Sequence, residues 1–230
     1  PMMTPLSAVP FFRDIDVDTA SLEARSRWHR FAPEEILVDF DDLSTDVFFL
    51  TAGEVRVLMR TASGKEVILD EMRPGELFGE LAALDGIKRS ANVTALTRGE
   101  AWVMPAAVFR EAVFASPALA DRLFRLLTSR IRDLNSRLIE QTILDLRHRL
   151  YSELLRLSTP RANGAGERVV MPPPFHHDLA SRIGCRREQV TREFTLMAQE
   201  GLIERTRGAL VLKHPEILET RVAEALREDA

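Results

Sequence analysis

Two stretches of the chain carry side chains whose types and spacing can do chemistry. The first runs Gly75-Glu76-Leu77-Phe78-Gly79-Glu80-Leu81-Ala82-Ala83-Leu84 and resumes as Lys88-Arg89-Ser90-Ala91. Gly79 lets backbone N–H groups come close to an anion, the Ser90 hydroxyl can donate to it, and Arg89 brings a forked cation. The Glu80 carboxylate can accept from a sugar hydroxyl, Leu81 continues the same run, and an apolar residue such as Leu69 can wall a purine. Together they suit a compact cyclic phosphate on a ribose with one free hydroxyl. Glycine, glutamate and arginine also fill plain barrel turns, so the weight lies in Phe78-Gly79-Glu80 and Arg89-Ser90-Ala91 occurring together.

The second stretch is Cys185-Arg186-Arg187-Glu188-Gln189-Val190-Thr191-Arg192. Arginine can give two hydrogen bonds to guanine O6 and N7, and glutamate can accept from cytosine N4. At the start of one helix, Arg187, Glu188 and Arg192 can all reach one groove. Standing alone, such a trio is better explained as a solvated face with Arg–Glu pairing.

The elements that must position these residues are legible on either side. Residues 34–104 read as short strands broken by glycine turns: Val47–Leu50, then Val55 to Arg60, Val67–Leu69, Asn92–Leu96 and Ala101–Met104. That spacing argues for a sandwich or barrel. Pro105 is placed as the first residue of a helix running to about Phe114, and Ser116-Pro117 signals a second helix start. Phe124, Leu127, Ile131, Leu134 and Leu138 follow at alternating spacings of three and four, a coiled-coil seam with Gln141 in the next core slot. Packing against a twin in a homodimer explains that seam most simply; burial on the chain's own barrel is the alternative. Residues 143–157 read as another amphipathic helix, Ser158–Glu167 as a loop and Pro172–Pro174 as an extended spacer.

Beyond the spacer, His177–Ile183 reads as a short helix, Gly184-Cys185 as a turn and Arg186–Glu200 as a longer helix with Val190, Phe194 and Met197 inward. Ala180 must be small where the second helix crosses, and Gly184 can turn left-handed at low cost. Leu202-Ile203, a turn at Thr206–Ala209 and Leu210–Leu212 then make a β-hairpin, the wing of a winged helix-turn-helix, with Arg207 in its tip. Arg186, Gln189 and Thr191 join the DNA-facing set.

Bulk properties agree with this organisation. The chain has 230 residues, 45% hydrophobic and 29% charged, with a net charge of −4. Residues 1–140 carry 17 basic and 22 acidic side chains, whereas residues 145–214 carry 12 and 8, although an ordinary solvated surface accounts for that split equally well. The single cysteine, Cys185, excludes an intrachain disulfide and a multi-cysteine zinc or iron–sulfur site, and the five histidines form no metal-binding pair. No apolar run approaches the roughly 18 residues of a membrane span, so a cytoplasmic protein is expected. The start Pro1-Met2-Met3 reads as a processing scar, and the first few residues are set aside.

The segment Cys185–Arg192 resembles the recognition helix of the cyclic AMP receptor (catabolite activator) family of bacterial regulators. In that family an Arg-Glu-x-x-x-Arg set reads a TGTGA-type half-site, and Arg187, Glu188 and Arg192 stand at those positions. Arg186 replaces a more usual serine and Thr191 a more usual glycine. The run from Phe78 to Ala91 is similar to the same family's phosphate-binding cassette, with Lys88 where proline or a small residue is usual. The resemblance, over roughly residues 10–215, implies an α+β protein in three parts. They are a jelly-roll-like cyclic-nucleotide-binding β-barrel (1–115), a dimerisation helix (116–141) and a winged helix-turn-helix (142–230). It further implies Arg130 facing Glu80, and Leu134 and Asn135 at the base, in place of two hydroxyl residues. Cyclic AMP is the first expectation for the effector and cyclic GMP the second, without metal, haem or iron–sulfur cluster. The implied partners are double-stranded DNA, a second copy of the chain and RNA polymerase. Alternatives are a regulator of this fold with another effector or none, a haem or iron–sulfur sensor, and an enzyme, for which no nucleophile–base set or paired carboxylates emerge.

Overall fold

The computed structural model describes residues 3–162, 164 and 166–228. It divides into two compact units, residues 1–130 and 131–230.

The first unit is a sandwich of two four-stranded antiparallel sheets. Its strands are β1 (Arg27–Phe31), β2 (Ile36–Val38), β3 (Val47–Ala52), β4 (Val55–Arg60), β5 (Glu66–Met72), β6 (Leu77–Phe78), β7 (Asn92–Ala95) and β8 (Gly99–Met104). They pair in the orders β1-β8-β3-β6 and β2-β7-β4-β5. Period-two alternation sends Phe48, Leu50, Ala101 and Val103 of one sheet inward against Val38, Val55, Val93 and Ala95 of the other. The opposite face of the first sheet, with Val47, Phe49, Trp102 and Met104, packs on helices. These are α1 (Thr19–Ala24), α3 (Ala106–Ala115) and the start of α4 (Pro117–Ile143), while α2 (Glu80–Asp85) follows β6 directly.

The leading residues, set aside on sequence grounds, belong to this core. Leu6, Val9, Phe11 and Phe12 are buried against Phe49 and Phe109, and the Trp102 indole N–H donates to the Thr4 carbonyl at 2.8 Å. Pro1 and Met2 lie outside the described residues. Pro105 caps α3 instead of opening it, whereas Pro117 is the first residue of α4, with the Ser116 hydroxyl accepting from Leu119 N–H at 3.3 Å.

In the second unit, the helix expected over 143–157 is α5 (Leu146–Leu157). Asp145 caps it by accepting from the His148 N–H at 2.9 Å, so 143 closes the preceding helix instead. The expected loop 158–167 contains a short strand, β9 (Thr159–Pro160), paired with β10 (Arg168–Val170). Then come α6 (His176–Ile183), α7 (Arg187–Gln199), β11 (Ile203–Arg205), β12 (Leu210–Leu212) and α8 (Pro215–Glu228). The strands form one sheet, β11-β12-β10-β9, so the wing hairpin is anchored by strands from before the helices. Leu150, Leu154, Leu179, Val190 and Leu212 are all fully buried at its centre.

Candidate nucleotide and DNA sites

The β6–α2 corner is made by Gly79, which sits at φ +84°, a region that L side chains rarely adopt. A Cβ there would lie 2.6 Å from the Asp46 carbonyl and 2.9 Å from Nη1 of Arg89. Arg89 is only 4% exposed, and all of its partners are neutral oxygens. Its Nη1 donates to the Gly79 carbonyl at 2.9 Å, Nη2 to the Asp46 carbonyl at 2.8 Å and Nε to the Ser44 hydroxyl at 3.1 Å. Among the described residues no carboxylate comes within ion-pairing distance of it. Burial pulls the guanidinium below its ordinary pKa, while the fields of Asp46, Asp42 and Glu80 oppose that shift. The site thus holds a buried cation with no direct ion pair among the described residues, in the field of three nearby carboxylates.

Glu80, also buried, is paired with Arg130 of α4 at 2.6 Å, and Arg130 donates through its other amino group to the Leu77 carbonyl. Ser90 and Leu81 are exposed beside this corner. Leu69 is half-buried in β5, where the register shifts between the Leu58–Ile68 and Val57–Asp70 pairs. Ser44 and Asp46, which sequence reasoning missed, reach Arg89 from the loop between β2 and β3; nothing in their spacing marked them. Leu134 and Asn135 lie further along α4, in the second unit.

The seam of α4 is largely uncovered: Phe124 is 67% exposed, Ile131 57%, Leu134 60% and Leu138 65%. Leu127 departs from the expected row, being partly buried against the core of the first unit, because the first turns of α4 also close that core.

In the second unit, Gly184 ends α6 at φ +73° and its N–H bonds the Ala180 carbonyl at 3.0 Å. Ala180 is 5% exposed and Val190 fully buried where the helices meet. The observed helices start at His176 and Arg187, one residue from the expected starts in opposite directions, with Arg186 as the cap of α7. Phe194 is only partly buried, against the same core as Met197. A buried carboxylate, Glu193, fixes α7 to α5 by accepting from Arg147 at 2.8 Å, and Glu153 of α5 lies 3.5 Å from Arg182 of α6.

Arg186, Arg187, Glu188, Thr191 and Arg192 are exposed, as is Arg207 in the wing. Among the described residues nothing bonds to the charged groups of Arg187, Glu188, Arg192 or Arg207, although Glu188 and Arg192 stand at pairing distance along the helix. Two polar side chains of the set are committed elsewhere. The Gln189 carbonyl accepts from the Arg186 N–H at 3.0 Å, and the Thr191 hydroxyl donates to the Arg187 carbonyl at 3.1 Å. No group of histidine, cysteine and carboxylate side chains able to hold a metal occurs among the described residues, nor does a helix long and apolar enough to cross a membrane.

Comparison with known proteins matches two stretches of the chain to families. Residues 28–116 match the Cyclic nucleotide-binding domain and residues 148–221 the Crp-like helix-turn-helix domain. The chain is 31% identical over 185 residues to the Cyclic AMP receptor protein of Thermus thermophilus, covering 77% of this chain and 80% of that one. It is 26% identical over 176 residues to the CRP-like cAMP-activated global transcriptional regulator of Mycobacterium tuberculosis, covering 76% and 79%. Among solved structures, a mutant of CooA from Carboxydothermus hydrogenoformans superposes with a TM-score of 0.77 at 18% identity, over 96% of both chains. The c-di-GMP responsive global regulator CLP of Xanthomonas campestris gives 0.67 at 19% identity, over 83% of this chain and 95% of that one.

Proposed function

The chain belongs to the cyclic AMP receptor family of transcription regulators, which are not enzymes, and we propose that it is a homodimer switched by a cyclic nucleotide. Cyclic AMP is the first effector of choice and cyclic GMP the second; the target is a two-fold symmetric TGTGA-like DNA site, read in the cytoplasm and passed on to RNA polymerase.

One observation carries the effector reading: the buried guanidinium of Arg89 faces neutral oxygens only. A buried cation with no direct ion pair is costly, and a cyclic phosphate supplies that contact in the geometry that a guanidinium fork binds best. Gly79 admits the backbone of the corner close to that anion, the exposed Ser90 hydroxyl lies next to Arg89 in the chain to donate to it, and Glu80, held by Arg130, is the acceptor for the ribose hydroxyl. The Asn135 amide can donate or accept, which serves adenine N6 or guanine O6 alike.

The uncovered α4 seam supports a second copy as its occupant. In the dimer two α7 helices must stand about 34 Å apart to enter successive major grooves. Arg187, Glu188 and Arg192 then read base edges, and Arg207 in the wing contacts the backbone. The effector acts by favouring the arrangement that sets this spacing. Moving such an equilibrium from mostly off to mostly on takes about 5 kcal/mol of differential affinity, a few charge-assisted bonds.

A second reading keeps the fold and changes the effector. It is favoured by Leu134, which cannot bond a base, and by the c-di-GMP responsive regulator of the same fold. Fluorescence anisotropy of a labelled TGTGA-type duplex, read with cyclic AMP, cyclic GMP, c-di-GMP and no ligand, separates the two. Stimulation by cyclic AMP or cyclic GMP that vanishes in a folded, dimeric Arg89→Leu variant is the expected result. An undiminished response in that variant refutes the pocket.

A further inference from the structure

Beside the recognition helix lies a crevice of about 410 Å³ whose lining shares Arg187 with the proposed base contacts. Phe175, His176 and His177 line it from the start of α6, Arg187 and Thr191 from α7, and Arg205 from β11. His176 Nδ1 lies 2.8 Å from the Thr191 hydroxyl oxygen. With that hydroxyl donating to the Arg187 carbonyl, the histidine is the donor in the tautomer that satisfies both contacts at once. Its Nδ1 therefore carries a hydrogen, its neutral ring is fixed in one tautomer, and Nε2 is the nitrogen left to take up a proton. The ring also rests on Phe194, with centroids 4.6 Å apart, which holds it in place.

We propose that this crevice seats a phosphodiester of the DNA backbone together with a proton on His176, so that binding DNA and charging one histidine are a single coupled event. The inference rests on the DNA-binding reading above but not on the effector or the half-site sequence.

The charges that face the ring come from three elements. On α6, His177 neighbours it and lies 3.2 Å from the Asp178 carboxylate; α7 contributes Arg187 and β11 contributes Arg205. In the free protein burial holds His176 below its ordinary pKa, and Arg205 and Arg187 push it the same way. It is therefore neutral near pH 7. A phosphodiester between these cations offsets their field at the ring and so favours a proton on Nε2. The Nδ1–H bond to Thr191 survives that change, so the seat gains a charge without being rebuilt. Arg205 and the imidazolium then hold the phosphate. Arg187 adds its field while its own hydrogen bonds go to base edges. The Phe175 and His177 rings, stacked 5.3 Å apart, close the apolar side.

A group whose pKa rises on binding makes affinity fall as pH rises between the free and bound values, by up to about tenfold per pH unit for one proton. The experiment uses the full-length protein and a random-sequence duplex at low salt, because phosphates are alike on every sequence. Calorimetry in two buffers of unlike ionisation enthalpy counts the protons taken up. Wild type and His177→Gln should take up one proton more than His176→Gln, in which the glutamine amide can still donate to Thr191. The histidine ring signals of the wild type, followed by NMR, should report a higher His176 pKa with duplex than without, a readout that needs no variant. Equal proton uptake in wild type and His176→Gln, or a His176 pKa unmoved by duplex, overturns the proposal. So does inorganic phosphate raising that pKa as far as DNA does, since the crevice would then be a free-anion site. Failure of the wild type to bind any duplex sinks the DNA reading as well, and so tells the two failures apart.

Discussion

Replacing Gly79 by alanine tests the nucleotide corner directly, and Gly64→Ala supplies its control. Both glycines sit at similar positive φ, +84° and +80°, in the same unit. An alanine forced into that region costs about 1–2 kcal/mol. At Gly64 nothing lies within 4 Å of the new Cβ, so this strain is the whole effect. At Gly79 the Cβ also meets the Asp46 carbonyl at 2.6 Å and Arg89 Nη1 at 2.9 Å, and the bond from Arg89 to the Gly79 carbonyl must break. A hydrogen bond to a charged group contributes about 1.5–3 kcal/mol. The expected loss is thus about 2.5–5 kcal/mol at Gly79 and about 1–2 at Gly64. Both tryptophans, Trp28 and Trp102, belong to this unit. Urea unfolding followed by tryptophan emission therefore reports on the right half of the chain. Equal losses in the two variants, within about 0.5 kcal/mol, would show that Arg89 is not held by this corner and would remove the structural basis of the phosphate site.

Arg187→Ala should cost about 1–3 kcal/mol on the specific duplex and relax base choice at one position, measured by anisotropy titration across single-base variants. An equal loss on random DNA would make Arg187 a phosphate contact instead. Ile131→Glu combined with Leu138→Glu should turn a dimer into a monomer in sedimentation velocity, given the exposure of both positions; a wild type that sediments as a monomer would refute the dimer. Asp145→Ala should cost about 1 kcal/mol as a lost helix cap. Burial raises the Asp145 pKa, but the N–H and ring of His148, its charge, and the Arg147 N–H prevail and leave it lowered. A lowered carboxylate stabilises above its unfolded-state pKa and loses that contribution as pH falls through the folded value. The gap between wild type and variant should therefore be full at neutral pH and close only below the ordinary aspartate range. A gap unchanged at low pH would count against the cap.

The two domains were legible in the sequence because the motifs that mark them are local. Gly79 with Arg89 and Ala180 with Gly184 each act over a few residues, and short-range sterics fix what they can be. The strands from Val47 to Met104 were legible from their short apolar runs and the glycine turns between them, although β3 and β8 are buried on both faces. What stayed hidden depends on partners distant in the chain. Strand β1 reads Arg-Trp-His-Arg-Phe, with a burial pattern set by its pairing to β8 and no periodicity of its own. Ser44 and Asp46 look like loop residues until the fold brings Arg89 to them, some 45 residues on. Leu127 fits a heptad perfectly well, yet in the structure it turns partly toward the barrel core, where a second apolar demand competes for the same helix. Glu193 shows why polarity misleads: it is buried and paired with the more exposed Arg147.

The residues ahead of the first strand carry a practical lesson. Leu6, Phe11 and Phe12 plug the face of the β1-β8-β3-β6 sheet, and Thr4 receives the Trp102 indole. Trimming that removes Leu6 to Phe12 takes away part of the interior of the first unit.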